Sequence, residues 1–184
     1  MTKIDKETLK VFEKLEKLNP EAKFLSESAL STVNDWVDTG CMVLNAIISG
    51  SLYGGVPMGR ITGFSGPSAA GKTYIINKIL ANGQKKGMVP VIFDTEAAID
   101  ASSTVGVGLD SDSVKYVPVQ TVEDCRNQIS AFLDGVIEAK MRDKFILSID
   151  SLGNLASQKE IDDAEKGKTA MDMGTRATGL KSVM

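Results

Sequence analysis

Lys72 and Thr73 close the run Gly66-Pro67-Ser68-Ala69-Ala70-Gly71-Lys72-Thr73, whose spacing fits G-x-x-x-x-G-K-[ST]. Small residues let a backbone curl so that successive N–H groups, and the start of a following helix, face an anion. A lysine at the end of such a loop reaches the terminal phosphates, and the hydroxyl after it holds Mg²⁺. The chemistry implied is nucleoside-triphosphate binding through a Walker A loop. The plain alternative is a glycine-rich turn ahead of an ordinary helix.

Two carboxylates join this loop. Asp150 ends the apolar run Phe145-Ile146-Leu147-Ser148-Ile149. A carboxylate at such a strand tip is a Walker B acid, holding Mg²⁺ through water opposite Thr73. Glu96 follows Val89-Pro90-Val91-Ile92-Phe93 and Asp94-Thr95, at the strand ends where ligands of α/β proteins collect. A hydrolase needs a group to orient and polarise the attacking water, and a glutamate there can do it. Taken as an isolated residue it reads as a solvated loop acid, with Asp94 the next candidate. Histidine is absent from the chain, which excludes Ser-His triads, His-ligated metals and imidazole acid–base catalysis.

The elements that must position these residues follow from apolar periodicity. Arg60-Ile61-Thr62-Gly63-Phe64 reads as a short strand entering the loop, and Tyr74 to about Lys86 reads as the helix leaving it, closed by Gly87. Leu44 to Ile48 is a short apolar helix or strand, and Gly50 to Gly59 a glycine-rich turn. Val89–Phe93, Val114–Val119 and Lys144–Asp150 read as strands. Thr121-Val122-Glu123-Asp124 is a capping box opening a helix with the stripe Ile129, Phe132, Leu133, Val136 and Ile137. Continuous apolar strands alternating with helices mean a parallel sheet covered on both faces. From Ser157 the chain is polar, with Gly167, Gly174 and Gly179, and reads as a mobile loop running into a helix.

Residues 1–33 stand apart as an N-terminal helix and linker, with the α/β core over 34–184. Thr2-Lys3-Ile4-Asp5 resembles a capping box and Asn19-Pro20 a stop, framing about four turns. Ile4, Val11, Leu15 and Leu18 form one apolar stripe. The helix either packs on its own domain or docks on a neighbouring subunit.

The 184 residues suffice for one well-buried domain, and 42% apolar with 24% charged residues is ordinary for a globular protein. No apolar run reaches the roughly 18 residues of a membrane span, and the charged N-terminus is no signal peptide. The expected location is the cytoplasm, that of the host if the protein is phage-encoded. Cys41 and Cys125 lie far apart and indicate neither a zinc site nor a disulfide framework. A net charge of −3 leaves no global basic field, so any nucleic-acid contact must use a local patch.

Three stretches in order, VPMGRITGFSGPSAAGKT, FDTEAAID and FILSIDSLGNLASQKE, make the chain resemble the RecA family of ATP-dependent recombinases, in its phage UvsX branch. The similarity runs from about Trp36 to the C-terminus. It implies a RecA-like P-loop core behind a short helical arm, ATP and Mg²⁺ as cofactors, and a helical filament on single-stranded DNA that exchanges strands with a homologous duplex. By that resemblance Gly66 to Thr73 and Lys72 hold phosphate, Thr73 and Asp150 hold Mg²⁺, and Glu96 activates water. The N-terminal helix is the arm that docks on the next subunit. Ile161 to Thr169 falls where the family has its first DNA-binding loop, with Lys166, Lys168 and Arg176 as basic contacts.

Two departures accompany the resemblance. The run Asp100 to Thr104 has no aromatic residue to stack on adenine. The family core also continues past the equivalent of Met184, with a strand that inserts between 61–64 and 145–149, so the chain reads as an N-terminal part. The expectation is that these strands then pair directly, borrow an edge or aggregate, misplacing Asp150 from Thr73, and that DNA-stimulated hydrolysis is weak or absent. Alternatives are a nucleotide-binding module without turnover and a small-molecule P-loop kinase. The kinase lacks support from the arginines Arg60, Arg126, Arg142 and Arg176, which do not cluster.

Overall fold

A computed structural model describes residues 4–28, 31–97, 99, 104–167 and 173–183, the last segment by backbone alone as far as 176. Contacts divide the chain into two compact units, 1–34 and 35–184.

In the first unit, helix α1 (Lys6–Leu18) starts one turn later than a Thr2 cap implies. The Asp5 carboxylate accepts from the N–H groups of Glu7 and Thr8 at 2.9 and 2.8 Å, satisfying donors that a helix start leaves open. Those bonds, with one from the Thr8 hydroxyl, hold the Asp5 carboxyl below its usual range. Val11, Leu15 and Leu18 are exposed, while Phe12 packs edge-on against Phe24.

The second unit opens with strand β1 (Trp36–Val37), helix α2 (Met42–Ser49) and strand β2 (Val56–Pro57), which pairs antiparallel with β1. Gly55 has φ 140° and lies so close to β1 that a Cβ there would stand 2.0 Å from the Val37 carbonyl oxygen. The Asn45 side chain, 2% exposed, ties the corner. Its Oδ1 accepts from the Thr39 N–H and hydroxyl, and its Nδ2 donates to Asp38 Oδ1 at 2.7 Å.

Helix α3 (Lys72–Lys85) follows the glycine-rich loop, then strands β3 (Val89–Asp94) and β4 (Lys115–Pro118), helix α4 (Val122–Glu138) and strand β5 (Phe145–Asp150). The three strands form a parallel sheet in the order β4-β3-β5. Successive side chains of a strand point to opposite faces, and the sequence exploits this. Val91, Phe93, Leu147 and Ile149 meet α4 through Val122, Cys125 and Ile129. Ile92 and Ile146 face the other way, with Leu80 and Ala81 of α3. The expected α/β parallel sheet with helices on both faces is present. Full burial of a side chain such as Phe93 contributes about 1.5–3 kcal/mol.

Four expectations need correction. The lead-in 61–64 forms no regular element and pairs with no strand among the described residues, and Ile61 is 72% exposed. Phe64 instead anchors it by packing with Val37, Val56, Ile79 and Met88. The α4 stripe is rotated. Val122, Cys125, Ile129 and Val136 are buried, whereas Leu133 and Ile137 are exposed, because the sheet meets the side of the helix that begins at its N-terminal turn.

The segment after Ser157 is not a loop. Ser157 accepts from the Glu160 N–H while Glu160 reaches back to the Ser157 N–H, and this capping box starts helix α5 (Gln158–Glu165). The stretch 161–165 is therefore helical; residues 168 and 169 lie outside the described residues. Helix α6 (Met173–Val183) follows, and Gly179 brings it against Val122 of α4.

Finally, β5 has not paired with 61–64, nor is Asp150 displaced. Helix α3 is fastened to β5 directly, with Ile146 against Gly83. That contact holds the far ends of the two elements, and the Thr73–Asp150 hydrogen bond closes the near ends, without a ladder between β5 and the lead-in.

Candidate nucleotide site

Register brings the acids together. Asp94 of β3 stands opposite Asp150 of β5 at the carboxyl ends of the sheet. Beyond them the two chains are stitched: the Thr95 N–H donates to the Asp150 carbonyl at 3.0 Å, and the Ser151 N–H to Thr95 Oγ1 at 2.9 Å. The Asp150–Ser151 peptide bond is cis.

The phosphate loop sits at the same end. Ala69 and Gly71 have φ of 60° and 85°, which curls the chain before α3. The left-handed conformation at Ala69 costs roughly 1–2 kcal/mol. Gly71 is the N-cap of α3 and supplies no side-chain acceptor, so the first-turn N–H groups face the loop without a cap. The Lys72 ammonium donates to the carbonyls of Gly66 and Pro67 at 3.0 and 2.8 Å, folded over the mouth of the loop. Thr73 Oγ1 donates to Asp150 Oδ2 at 2.6 Å, across 77 positions of sequence.

Glu96 occupies the neighbouring corner. Its Oε1 accepts from the Ser151 hydroxyl at 3.2 Å and from the Asn154 side-chain amide. Its backbone is set by Asp94, which is 2% exposed. Asp94 Oδ1 accepts from the N–H groups of Glu96 and Ala97 at 2.8 and 3.1 Å, and Oδ2 from Ile99 N–H and the Tyr116 hydroxyl at 3.3 and 3.0 Å. Burial first, and the bond to Asp94 second, push the Tyr116 hydroxyl above its usual range, so it stays a donor. Asp94 is thus occupied as an anchor for the turn and is no substitute base for Glu96.

The arrangement fits a nucleoside triphosphate with Mg²⁺. Uncapped helix N–H groups and a lysine suit the phosphates. A threonine hydroxyl beside one carboxylate suits Mg²⁺, which keeps several waters and takes its other ligands from phosphate. No group of three or more Cys, Asp or Glu able to cage a metal by itself occurs among the described residues.

Residues 10–182 match the family described as the RecA N-terminal domain. The chain belongs to the RecA family. It is 32% identical over 161 residues to the recombination and repair protein of Enterobacteria phage T4, covering 86% of this chain and 40% of that protein. Against Protein RecA of Clostridium acetobutylicum it is 29% identical over 148 residues, 80% of this chain and 38% of that one. Against Protein RecA of Clostridium botulinum it is 29% identical over 181 residues, 96% of this chain and 48% of the relative. The chain therefore spans less than half the length of each of these relatives.

In this RecA-family chain the structure brings Lys72, Thr73, Asp150 and Glu96 to one end of the sheet. The basic residues make no contact with that cluster among the described residues. Lys166 caps the C-terminus of α5 and is exposed. Arg176 lies on the α6 backbone, and Lys168 lies outside the described residues, as do 100–103. Sequence reasoning missed Asn154, Ser151 and Tyr116 as partners of the acids. The available signal for the first two was position alone: polar side chains just past a strand tip, on the edge that carries Glu96. No helix among the described residues is long and apolar enough to cross a membrane.

Proposed function

We propose that this chain is the ATP-binding part of a DNA recombinase, acting with Mg²⁺ and working on single-stranded DNA and a homologous duplex as a self-associating filament. The observation that carries the reading is the Thr73–Asp150 hydrogen bond at 2.6 Å, which joins the two motifs a phosphate-bound Mg²⁺ needs. The family membership and the printed names of the relatives, a recombination and repair protein and two RecA proteins, supply the DNA side.

In this reading the 66–71 backbone and Lys72 bind the phosphates, and Thr73 and Asp150 hold the ion. When bound there, Mg²⁺ would neutralise charge developing on the phosphates. Glu96 orients water and takes its proton. Lys166, Lys168 and Arg176 supply local positive charge for the DNA backbone, and α1 is the arm for the neighbouring subunit. Hydrolysis, DNA contact and filament formation all belong to the proposal.

With Asp150 set against Thr73, the ground for expecting a misplaced acid is gone, and slow basal hydrolysis is expected. Phosphate release is followed with ATP alone, with single-stranded DNA, and with small phosphate acceptors. Stimulation by DNA supports the recombinase. Turnover that depends on an acceptor points to a kinase, and binding without turnover leaves only a nucleotide module.

Lys72→Ala should weaken ATP binding by roughly 10- to 150-fold, the value of one charge-assisted hydrogen bond of about 1.5–3 kcal/mol. Titration with a fluorescent ATP analogue checks this, and unchanged affinity removes Lys72 from the site.

A further inference from the structure

The side chains that hold Glu96 are built asymmetrically. Both donors, the Ser151 hydroxyl and the Asn154 amide, reach the same oxygen, Oε1. Asn154 has no other side-chain bond among the described residues, and it is carried on a short turn, Leu152–Asn154, that follows β5. The next residues are fixed: Leu155 is completely buried, Ala156 bridges to Thr121, and Ser157 caps α5. The amide therefore approaches Glu96 from a rigid mount, itself continuous with the helix that ends in Lys166.

We infer that Asn154 is the positioning residue for Glu96: it ties down Oε1 so that Oε2 is the oxygen presented to water. The inference rests on the reading of Glu96 as the water-orienting group. A carboxylate whose plane can turn freely spends little time aligned, and misplacement of a reacting group by about 1 Å can cost as much as a hundredfold in rate. Ser151 shares the task, and Asn154 makes the shorter of the two contacts.

The test uses the whole chain and four proteins: the parent, Asn154→Ala, Glu96→Gln and the double variant. Asn154→Ala is expected to lower the rate of phosphate release about tenfold to a hundredfold. ATP affinity and the thermal midpoint should stay at parent values, because Asn154 touches neither the loop nor the core. In the Glu96→Gln background the same change should have no further effect, since with the carboxylate gone the orientation of that side chain no longer sets the rate. An equal additional loss in that background overturns the inference.

The contact itself is read without turnover. The Asn154 side-chain amide resonance should move on Glu96→Gln, and an unmoved resonance also overturns it. If Glu96→Gln leaves phosphate release unchanged, the assignment of Glu96 fails. If Glu96→Gln slows release but Asn154→Ala does not, only the role of Asn154 fails.

Discussion

Glu96→Gln is expected to leave ATP binding intact and to slow hydrolysis by about 10²–10⁴-fold, the usual value of general-base assistance. The substitution keeps volume, and a glutamine can still accept at Oε1 from Ser151 and Asn154. What is lost is the negative charge that takes the proton of the attacking water. The proposed phosphate contacts lie elsewhere, on Lys72 and the 66–71 backbone, so affinity has no reason to fall. Parallel measurement of phosphate release and analogue binding checks both halves. Turnover at the parent rate would return Glu96 to the status of a surface acid. Asp94 would not inherit the role, because its carboxylate is buried and already accepts four hydrogen bonds.

Gly55→Ala should cost about 3 kcal/mol or more of folding stability, a large part of the 5–15 kcal/mol typical of a domain. The added methyl would stand 2.0 Å from the Val37 carbonyl oxygen, 2.7 Å from its carbon and 2.9 Å from Asp38 Cα. These are backbone atoms, so no rotamer change relieves the clash. Moving them displaces Val37, which is 1% exposed and packs in the core with Ile79 and Met88. The φ of 140° adds strain of roughly 1–3 kcal/mol to an overpacking cost of similar size. Gly63, which has open space at its Cβ position, is the control and should tolerate alanine with little loss. Urea denaturation of the three proteins reads the difference as a shift in midpoint.

Periodicity and spacing predicted the loop, the three paired strands and the helix after the loop, because apolar runs and G-x-x-x-x-G-K-T are local patterns. What escaped was set by partners distant in sequence. The stretch 61–64 has strand composition, but a strand exists only where a ladder partner does, and none is present among the described residues. The exposed side of α4 depended on where the sheet meets it, so Leu133 and Ile137 could not be told from Ile129 by spacing. The Ser157–Glu160 capping box was a local signal, overlooked beneath a run of polar residues. The partners of Glu96 come from beyond β5, 55 and 58 positions away. Only their position just past a strand tip points to them.

The 77-position separation between Thr73 and Asp150 also bears on the time course of folding. Contacts that close long loops are entropically expensive until the intervening strands have paired. Thr95 and Ser151, themselves 56 positions apart, close the shorter loop and are expected to meet earlier. The Thr73–Asp150 pair is therefore expected to form late, after the folding transition state. A ligand bound there is then expected to slow unfolding, which unfolding rates with and without ATP and Mg²⁺ would read. It lengthens the lifetime of the fold and leaves the speed of reaching it unchanged.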